Sequence, residues 1–260
     1  MKFKVILSII LLAGVATFYT ACKKSGTDAS GPALSASEVS SQVALDLSQN
    51  LFGDYTGINF GGGLNAPSGF ATKKHINSRV MQSLNNPFCG LVIDTTLNET
   101  VTAGADSSIS VAGHIKFSFN CTGDNLTGFS TDDNLTIKVS TPQIGLSATI
   151  LENITLASLD PKVDTANFSL SGSLSETGAY VFKTGTKRAG TRSFSYVLSN
   201  LVIDSNGDII SGTASFTTKG SGPKGSWAYA GTITFLPGHK VTITISGKTY
   251  NVNLQTGVVG

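Results

Sequence analysis

The chain has 260 residues, with 18 basic and 16 acidic side chains and 40% hydrophobic residues. Binding to nucleic acid requires a concentrated positive surface, so this nearly neutral composition argues against a nucleic-acid partner. A chain of this length can bury a substantial core, and an all-β chain of this length often folds as one domain.

The first 21 residues have the pattern of a secretory signal. Lys2 and Lys4 precede an apolar run, residues 5–18, which is too short for an ordinary spanning helix. The run ends at Tyr19-Thr20-Ala21-Cys22, which resembles a bacterial lipoprotein signal in the relaxed form found in Bacteroidota. The resemblance implies cleavage before Cys22 and a lipid on that cysteine. An ordinary secretory signal with an incidental cysteine is the alternative.

Cleavage at this position would leave a chain of balanced charge, because it removes two of the 18 basic residues and none of the 16 acidic ones. The lipid implies attachment to a membrane and a cell-envelope location, as an outer-membrane lipoprotein on either the periplasmic or the surface face. Residues 22–34 are small and polar and predict a flexible tether.

An N-terminal segment, residues 35–87, is predicted to contain helices and loops and to pack on the following domain. Ser35 and Glu38 have the spacing of a capping box, and an apolar stripe repeats every four residues at Val39, Val43, Leu47 and Leu51. We therefore expect an amphipathic helix that ends at Phe52. A second, shorter helix is predicted over residues 74–85, with Pro87 ending it.

Residues 88–260 read almost entirely as β-strand, because apolar side chains alternate with Ser, Thr, Asn or Lys. In the segment 109–121, the odd positions are largely apolar and the even ones mostly polar, which predicts one face for a core and one for water. We predict a mainly all-β fold: an antiparallel meander of about 10–12 strands that forms a curved sheet, half-barrel or sandwich. A membrane-spanning barrel shows the same alternation, but the lipoprotein signal and the lack of clear aromatic girdles argue against it.

Two cysteines remain after Cys22, and their placement predicts a disulfide. If the chain folds back about Ala105, positions that sum to 210 face each other, and Cys89 then meets Cys121. Opposed residues in an antiparallel pair have Cα atoms about 4.5–5.5 Å apart, which is within disulfide range. Two buried free thiols are the alternative.

Turn signals separate the later strands. Asn206-Gly207 is the strongest hairpin signal, and Pro237-Gly238 and Gly247-Lys248 are predicted to turn the last strands of the chain.

The templates for catalysis and metal binding all fail on inspection, so we predict no enzyme, no cofactor and no metal. His75, His114 and His239 lack a local metal-ligand spacing. Asp204, Asn206 and Asp208 alternate as calcium ligands do, but no acid follows at the twelfth position, which favours a plain turn. No nucleophile elbow and no carboxylate pair is visible.

Three surface features are candidate sites. Lys187, Arg188 and Arg192 form a compact basic cluster that could hold an anion, although a solvated loop is the simpler interpretation. Thr95 and Thr165 lie in the triplets Asp94-Thr95-Thr96 and Asp164-Thr165-Ala166, which resemble the Asp-Ser/Thr-small/apolar O-glycosylation sites of Bacteroidota envelope proteins. Trp227 and Tyr229 share a strand face as sugar-stacking aromatics do, but they are in phase with Ile233 and Phe235, which favours a core role.

Three short strings, Phe88-Cys89-Gly90, Phe119-Asn120-Cys121 and the closing Gly-Lys-Thr-Tyr-Asn-Val-Asn-Leu, resemble β-rich lipoproteins of Bacteroidota. The resemblance implies an envelope location and supplies no activity. The sequence therefore favours a non-enzymatic, lipid-anchored envelope protein that binds a partner or serves as a structural module. Its candidate partners are a glycan, an apolar ligand or another envelope protein. The alternative is a carrier or sensor for an apolar ligand held in a half-barrel groove.

Overall fold

The computed structural model describes residues 33–52, 89–102, 104, 106–123, 125–163, 166–185 and 188–260. These residues form one helix, α1 (Ala36–Phe52), and ten strands. The strands are β1 (Val92–Thr102), β2 (Ser108–Thr122), β3 (Asn125–Ser140), β4 (Ile144–Ser158), β5 (Phe168–Phe182), β6 (Ala189–Ile203), β7 (Ile209–Gly222), β8 (Gly225–Leu236), β9 (Lys240–Ile245) and β10 (Lys248–Asn253). The signal, Cys22 and the predicted helix over 74–85 lie outside the described residues.

All ten strands belong to one antiparallel sheet, and their order in the sheet is their order in the chain. Each strand pairs with the next, and β1 and β10 stay at opposite edges, so the sheet is open. The predicted antiparallel meander is therefore confirmed, and of the predicted forms the single open sheet is the one observed. Short connections and local pairing are what a strictly alternating sequence favours.

The pairing of β1 with β2 confirms the predicted register. Ile93 faces Phe117 and Val92 faces Ser118, and both pairs sum to 210. The same register brings Cys89 and Cys121 into a disulfide with a Cα–Cα distance of 5.6 Å. The bond closes a loop with a sequence separation of 32 residues, which removes conformational entropy from the unfolded chain.

The turns follow the glycine signals with one correction. Asn206-Gly207 does turn β6 into β7, and the Asp204 side chain accepts backbone hydrogen bonds from Asn206 and Asp208, both at 2.9 Å. The last hairpin turns at Ser246-Gly247, one residue earlier than predicted, because Ile245 pairs directly with Lys248. Ser246 and Gly247 both have positive φ, 49° and 79°, as the tight hairpin turn that matches strand twist requires.

Gly113 interrupts the apolar series of β2 for a steric reason. Its φ is 147°, and a β-carbon at this position would lie 2.0 Å from the carbonyl oxygen of Asn134 on the neighbouring strand. The glycine therefore permits a backbone approach that no other residue could make at this point.

Helix α1 begins as predicted. The Ser35 hydroxyl accepts a hydrogen bond from the Glu38 amide, and the Glu38 carboxylate accepts one from the Ser35 amide at 2.9 Å. Val39, Val43, Leu47 and Leu51 are at most 1% exposed and join the core formed by the sheet. The stripe is thus buried against the sheet, as its spacing predicts.

We call the sheet face that shares this core the inner face, and the opposite face the outer face. The helix contacts β9 and β10. The Tyr196 hydroxyl of β6 donates to the Val43 carbonyl at 3.2 Å, and the Tyr229 hydroxyl of β8 donates to the Leu34 carbonyl at 2.7 Å. The helix therefore lies over the C-terminal half of the sheet, β6 to β10.

Candidate functional site

The inner face is organised in transverse rows, because every strand pairs with its neighbour and the register shifts of β2–β3, β5–β6 and β6–β7 lie outside the central part of the sheet. One row, which we call the central row, crosses from β1 to β9 through Thr95, Ile115, Asp133, Glu152, Leu174, Tyr196, Phe216, Gly231 and Ile245. It separates two regions of the inner face that differ in burial.

On one side of the central row the inner face is a dry core. The next row contains Phe117, Ile154, Leu198, Ile233 and Ile243, each at most 2% exposed. The disulfide lies on this side, and Phe117 stacks on Phe129 with ring centroids 4.6 Å apart. This packing is the stable end of the N-terminal half of the sheet.

On the other side, ten apolar inner positions of β1 to β4 are only half-buried, whereas Val139 of β3 is 6% exposed and Glu99, an inner position of β1, is exposed. We call this set the β1–β4 apolar patch; it consists of Leu97, Val101, Ile109, Val111, Leu135, Ile137, Ile144, Leu146, Ala148 and Ile150. The outer positions between these residues are mostly polar, as at Ser147 and Thr149. Adjacent apolar side chains that keep part of their surface in water are candidates for contact with an apolar ligand or a protein partner.

Two acidic residues border the patch in the central row. Asp133 and Glu152 are directly paired across β3 and β4, and Glu152 is 3% exposed. The Thr131 hydroxyl donates to Glu152 Oε1 at 2.9 Å. Burial, together with the charge of Asp133, raises the pKa of Glu152 to about 8. Burial also raises the pKa of Asp133 to about 6. Glu152 is therefore largely a neutral carboxylic acid at neutral pH.

A second acidic group lies where the helix meets the sheet, and we call it the Asp46 cluster: Asp46, Asn50, Glu176, Arg192 and Tyr196. The Tyr196 hydroxyl donates to Asp46 Oδ2 at 2.9 Å, and Asn50 Nδ2 lies 3.2 Å from the same oxygen. Arg192 Nε and Nη2 donate to Glu176 Oε1 at 3.1 and 2.5 Å. Helix α1, β5 and β6 thus meet through side chains that carry charge or strong dipoles.

The two carboxyl groups of this cluster are close enough to hydrogen-bond to each other. Asp46 is 3% exposed, and its Oδ1 has no partner among the described residues if both carboxyls are ionised. Burial, and then the charge of Glu176, raises the pKa of Asp46 well above its usual range. A protonated Asp46 can donate to Glu176, which satisfies the oxygen that would otherwise be unpaired.

The predicted basic cluster is not assembled as an external anion site in the described residues. Arg192 is an inner position of β6, and its side chain is 17% exposed and ion-paired to Glu176. Arg188 lies over the ring of Phe182, 5.3 Å from its centroid, and Lys187 lies outside the described residues. The three residues are neighbours in sequence, but strand alternation turns Arg192 inward.

The two predicted glycosylation sites differ in what the structure describes. Thr95 is an inner, half-buried position of β1 that pairs with Ile115, so a glycosyltransferase would have to reach an inward-facing hydroxyl of the folded chain. Thr165 lies outside the described residues.

Trp227 and Tyr229 are half-buried and pack against the core, as their phase with Ile233 predicts. Among the residues that the structure describes, no three His, Cys, Asp or Glu side chains are grouped closely enough to hold a metal ion. His114 pairs with Asp94 at 2.6 Å on exposed positions of β1 and β2, and His239 lies 3.3 Å from Asp208. Within the same described ranges, no helix is long and apolar enough to cross a bilayer.

Neither carboxyl pair is predicted from the sequence. Glu152 and Glu176 lie in phase with the inner apolar positions of β4 and β5, at Ile150, Ile154 and Leu174. Asp46 follows the helix stripe residue Val43 by three positions. An acid in phase with a buried stripe is the signal that could have identified each of them.

Comparisons with known proteins add no family to this description. No protein-family model, no curated protein and no solved structure matches the chain.

Proposed function

We propose that the chain is a non-enzymatic, lipid-anchored protein of the bacterial cell envelope whose open sheet binds an apolar ligand on the β1–β4 apolar patch. The observation that supports this proposal most is the contrast within one face of one sheet. The inner face is dry on one side of the central row, whereas ten apolar inner positions of β1 to β4 on the other side are only half-buried.

The chemistry of the patch suits an acyl chain or a similar apolar group, because its side chains are those of Leu, Ile, Val and Ala. Removing apolar surface from water contributes roughly 25 cal/mol per Å², so covering the exposed part of these Leu, Ile and Val side chains favours binding and offsets part of the entropy lost on association. The carboxyl groups of Glu152 and Asp133 border the patch, and a neutral Glu152 there does not repel an apolar ligand.

The binding half of the proposal is tested with two matched tryptophan variants on one strand. Ala148 is an inner position of the patch, and Thr149 is the adjacent outer position of β4; both are half-buried. We expect a fluorescent acyl probe to bind the wild type and the Thr149→Trp variant with similar affinity. Ala148→Trp fills the patch and should weaken binding at least tenfold. Equal binding by all three proteins, or no uptake by the wild type, would contradict the proposed ligand site and leave a structural module as the better interpretation.

The anchoring half rests on Cys22 alone and is tested separately. Acyl chains each contribute about 0.8 kcal/mol per buried methylene, so several chains hold a protein stably on a membrane. Cys22→Ser should move the protein from the membrane fraction to the soluble fraction and abolish acyl labelling. Membrane association that persists in the variant, with no acyl label on the wild type, would reject lipidation.

A further inference from the structure

We propose that the Asp46–Glu176 carboxyl pair is a proton-dependent latch that holds helix α1 on the inner face of the sheet. This latch concerns only how α1 is retained. It does not depend on which ligand the β1–β4 apolar patch binds.

The Asp46–Glu176 pair lies where the helix meets the sheet. Among the described residues, this is the only helix–strand junction with paired carboxyls. Asp46 belongs to α1, and Glu176 belongs to β5, which lies outside the β6–β10 half that the helix covers. Asp46 is 3% exposed, and the side chain of Glu176 is 12% exposed. Water therefore cannot screen a repulsion between them effectively.

One buried oxygen of Asp46 is left without a donor by the other described side chains. Asp46 Oδ2 accepts from Tyr196 at 2.9 Å, but Oδ1 has no partner among the described residues unless a carboxyl is protonated. Two ionised carboxylates offer only acceptors, whereas one shared proton converts their contact into a hydrogen bond. Burial shifts the Asp46 carboxyl toward its neutral form, in agreement with this arrangement.

The surroundings of Asp46 determine the direction of the effect. The charged and titratable groups that act on it are Glu176 of β5 and Arg192 and Tyr196 of β6, while Asn50 of its own helix is neutral. The inner positions of β9 and β10 are apolar except Lys248, which is exposed and lies over the ring of Tyr250. One guanidinium thus faces two carboxyls, so loss of the shared proton leaves a net negative charge in a buried contact.

The consequence is that α1 is held while the pair keeps its proton and is released as rising pH removes it. Release of the helix breaks no strand pairing, because the sheet pairs from β1 to β10 without α1. Helix opening and global unfolding are therefore distinguishable events.

Hydrogen exchange of the full-length protein, followed by mass spectrometry between pH 5 and 9, tests the latch. After correction for intrinsic exchange, peptides from α1 should lose protection by up to about tenfold per pH unit above the pKa of Asp46, as for a single linked proton. Peptides from β9 (Lys240–Ile245) should keep their protection over the same range.

Two variants and one control decide the outcome. Asp46→Asn mimics the protonated acid and should leave α1 protected at every pH, and Glu176→Gln, which removes the repulsion by a different substitution, should flatten the profile as well. Glu152→Gln removes a buried carboxyl elsewhere on the sheet and should leave the pH dependence of α1 unchanged. Any of three results would overturn the proposal. The wild-type protection of α1 would not depend on pH, or Asp46→Asn and Glu176→Gln would keep the pH slope of the wild type, or α1 and β9 would lose protection in parallel.

Discussion

Tyr196 on β6 and Asp46 on α1 form a hydrogen bond of 2.9 Å between residues that are 150 positions apart in the chain. Both side chains are buried, and the same hydroxyl also lies 3.2 Å from the Val43 carbonyl. This contact fixes the helix to a particular row of the sheet, because the central row places Tyr196 in line with Glu152 and Phe216. Apolar packing alone would hold the helix with less positional specificity.

We expect Tyr196→Phe to destabilise the protein by about 1–3 kcal/mol, because the buried Asp46 carboxyl loses its hydroxyl donor while the ring packing is kept. Urea unfolding at pH 7 measures the change. Tyr250→Phe, at a half-buried position of β10, serves as the control and should cost much less. Equal losses in the two variants would show that the Tyr196 hydroxyl has no special role.

Leu47→Asp tests whether α1 is part of the core. Leu47 is 0% exposed, so the substitution buries a charge in apolar surroundings and should cost several kcal/mol or prevent folding. Ser48→Asp, at a half-buried position one residue later, introduces the same side chain as a control and should have a much smaller effect. A thermal midpoint of Leu47→Asp within a degree or two of wild type would show that the helix is peripheral.

Much of the fold follows from short-range sequence patterns. The two-residue period of segment 109–121 predicts a strand with one core face, and the four-residue spacing from Val39 to Leu51 predicts the buried stripe of α1. The register of β1 and β2 follows from a single fold-back point, which also places Cys89 opposite Cys121. These features depend only on residues close in the chain or on one hairpin.

The candidate sites were harder to predict, because they depend on rows that cross many strands. Glu152 meets Asp133 only when the β3–β4 register is known, and Asp46 meets Glu176 only when the helix is placed on the sheet. Arg192 shows the opposite error: its sequence proximity to Arg188 suggests a shared external cluster, whereas strand alternation places it on the inner face beside Glu176. Sequence proximity is a poor guide to side-chain proximity within a strand.

The disulfide should contribute about 3–4 kcal/mol in the chain-entropy model, given the length of the loop that it closes. Cys121→Ala should therefore lower the unfolding midpoint, and Cys89→Ala should lower it by a similar amount, since either change opens the same loop. Peptide mapping without reduction should recover Cys89 and Cys121 in one linked fragment. Alkylation of both thiols in protein purified from the envelope would contradict the pairing.

The stability of the folded chain should fall as pH rises through the range in which Glu152 keeps its proton only in the folded state. The pKa of Glu152 is raised from 4.5 to about 8 by burial, so the folded carboxyl holds a proton that the unfolded one has lost. The stabilisation of the folded state by this proton is fully present below about pH 4.5. It declines by up to about 1.4 kcal/mol per pH unit until about pH 8. Asp133, whose pKa is raised from 3.8 to about 6, adds a decline over the lower part of this range.

Glu152→Gln isolates this effect, because the amide oxygen can still accept the hydrogen bond from Thr131 while the titration is removed. Urea unfolding at pH 5, 7 and 8 should give nearly equal stabilities for wild type and variant at pH 5 and a growing advantage for the variant at higher pH. Glu99→Gln, at an exposed position of β1, controls for the loss of one negative charge and should follow the wild type. A difference between Glu152→Gln and wild type that stays constant from pH 5 to 8 would mean that Glu152 titrates normally in the folded protein.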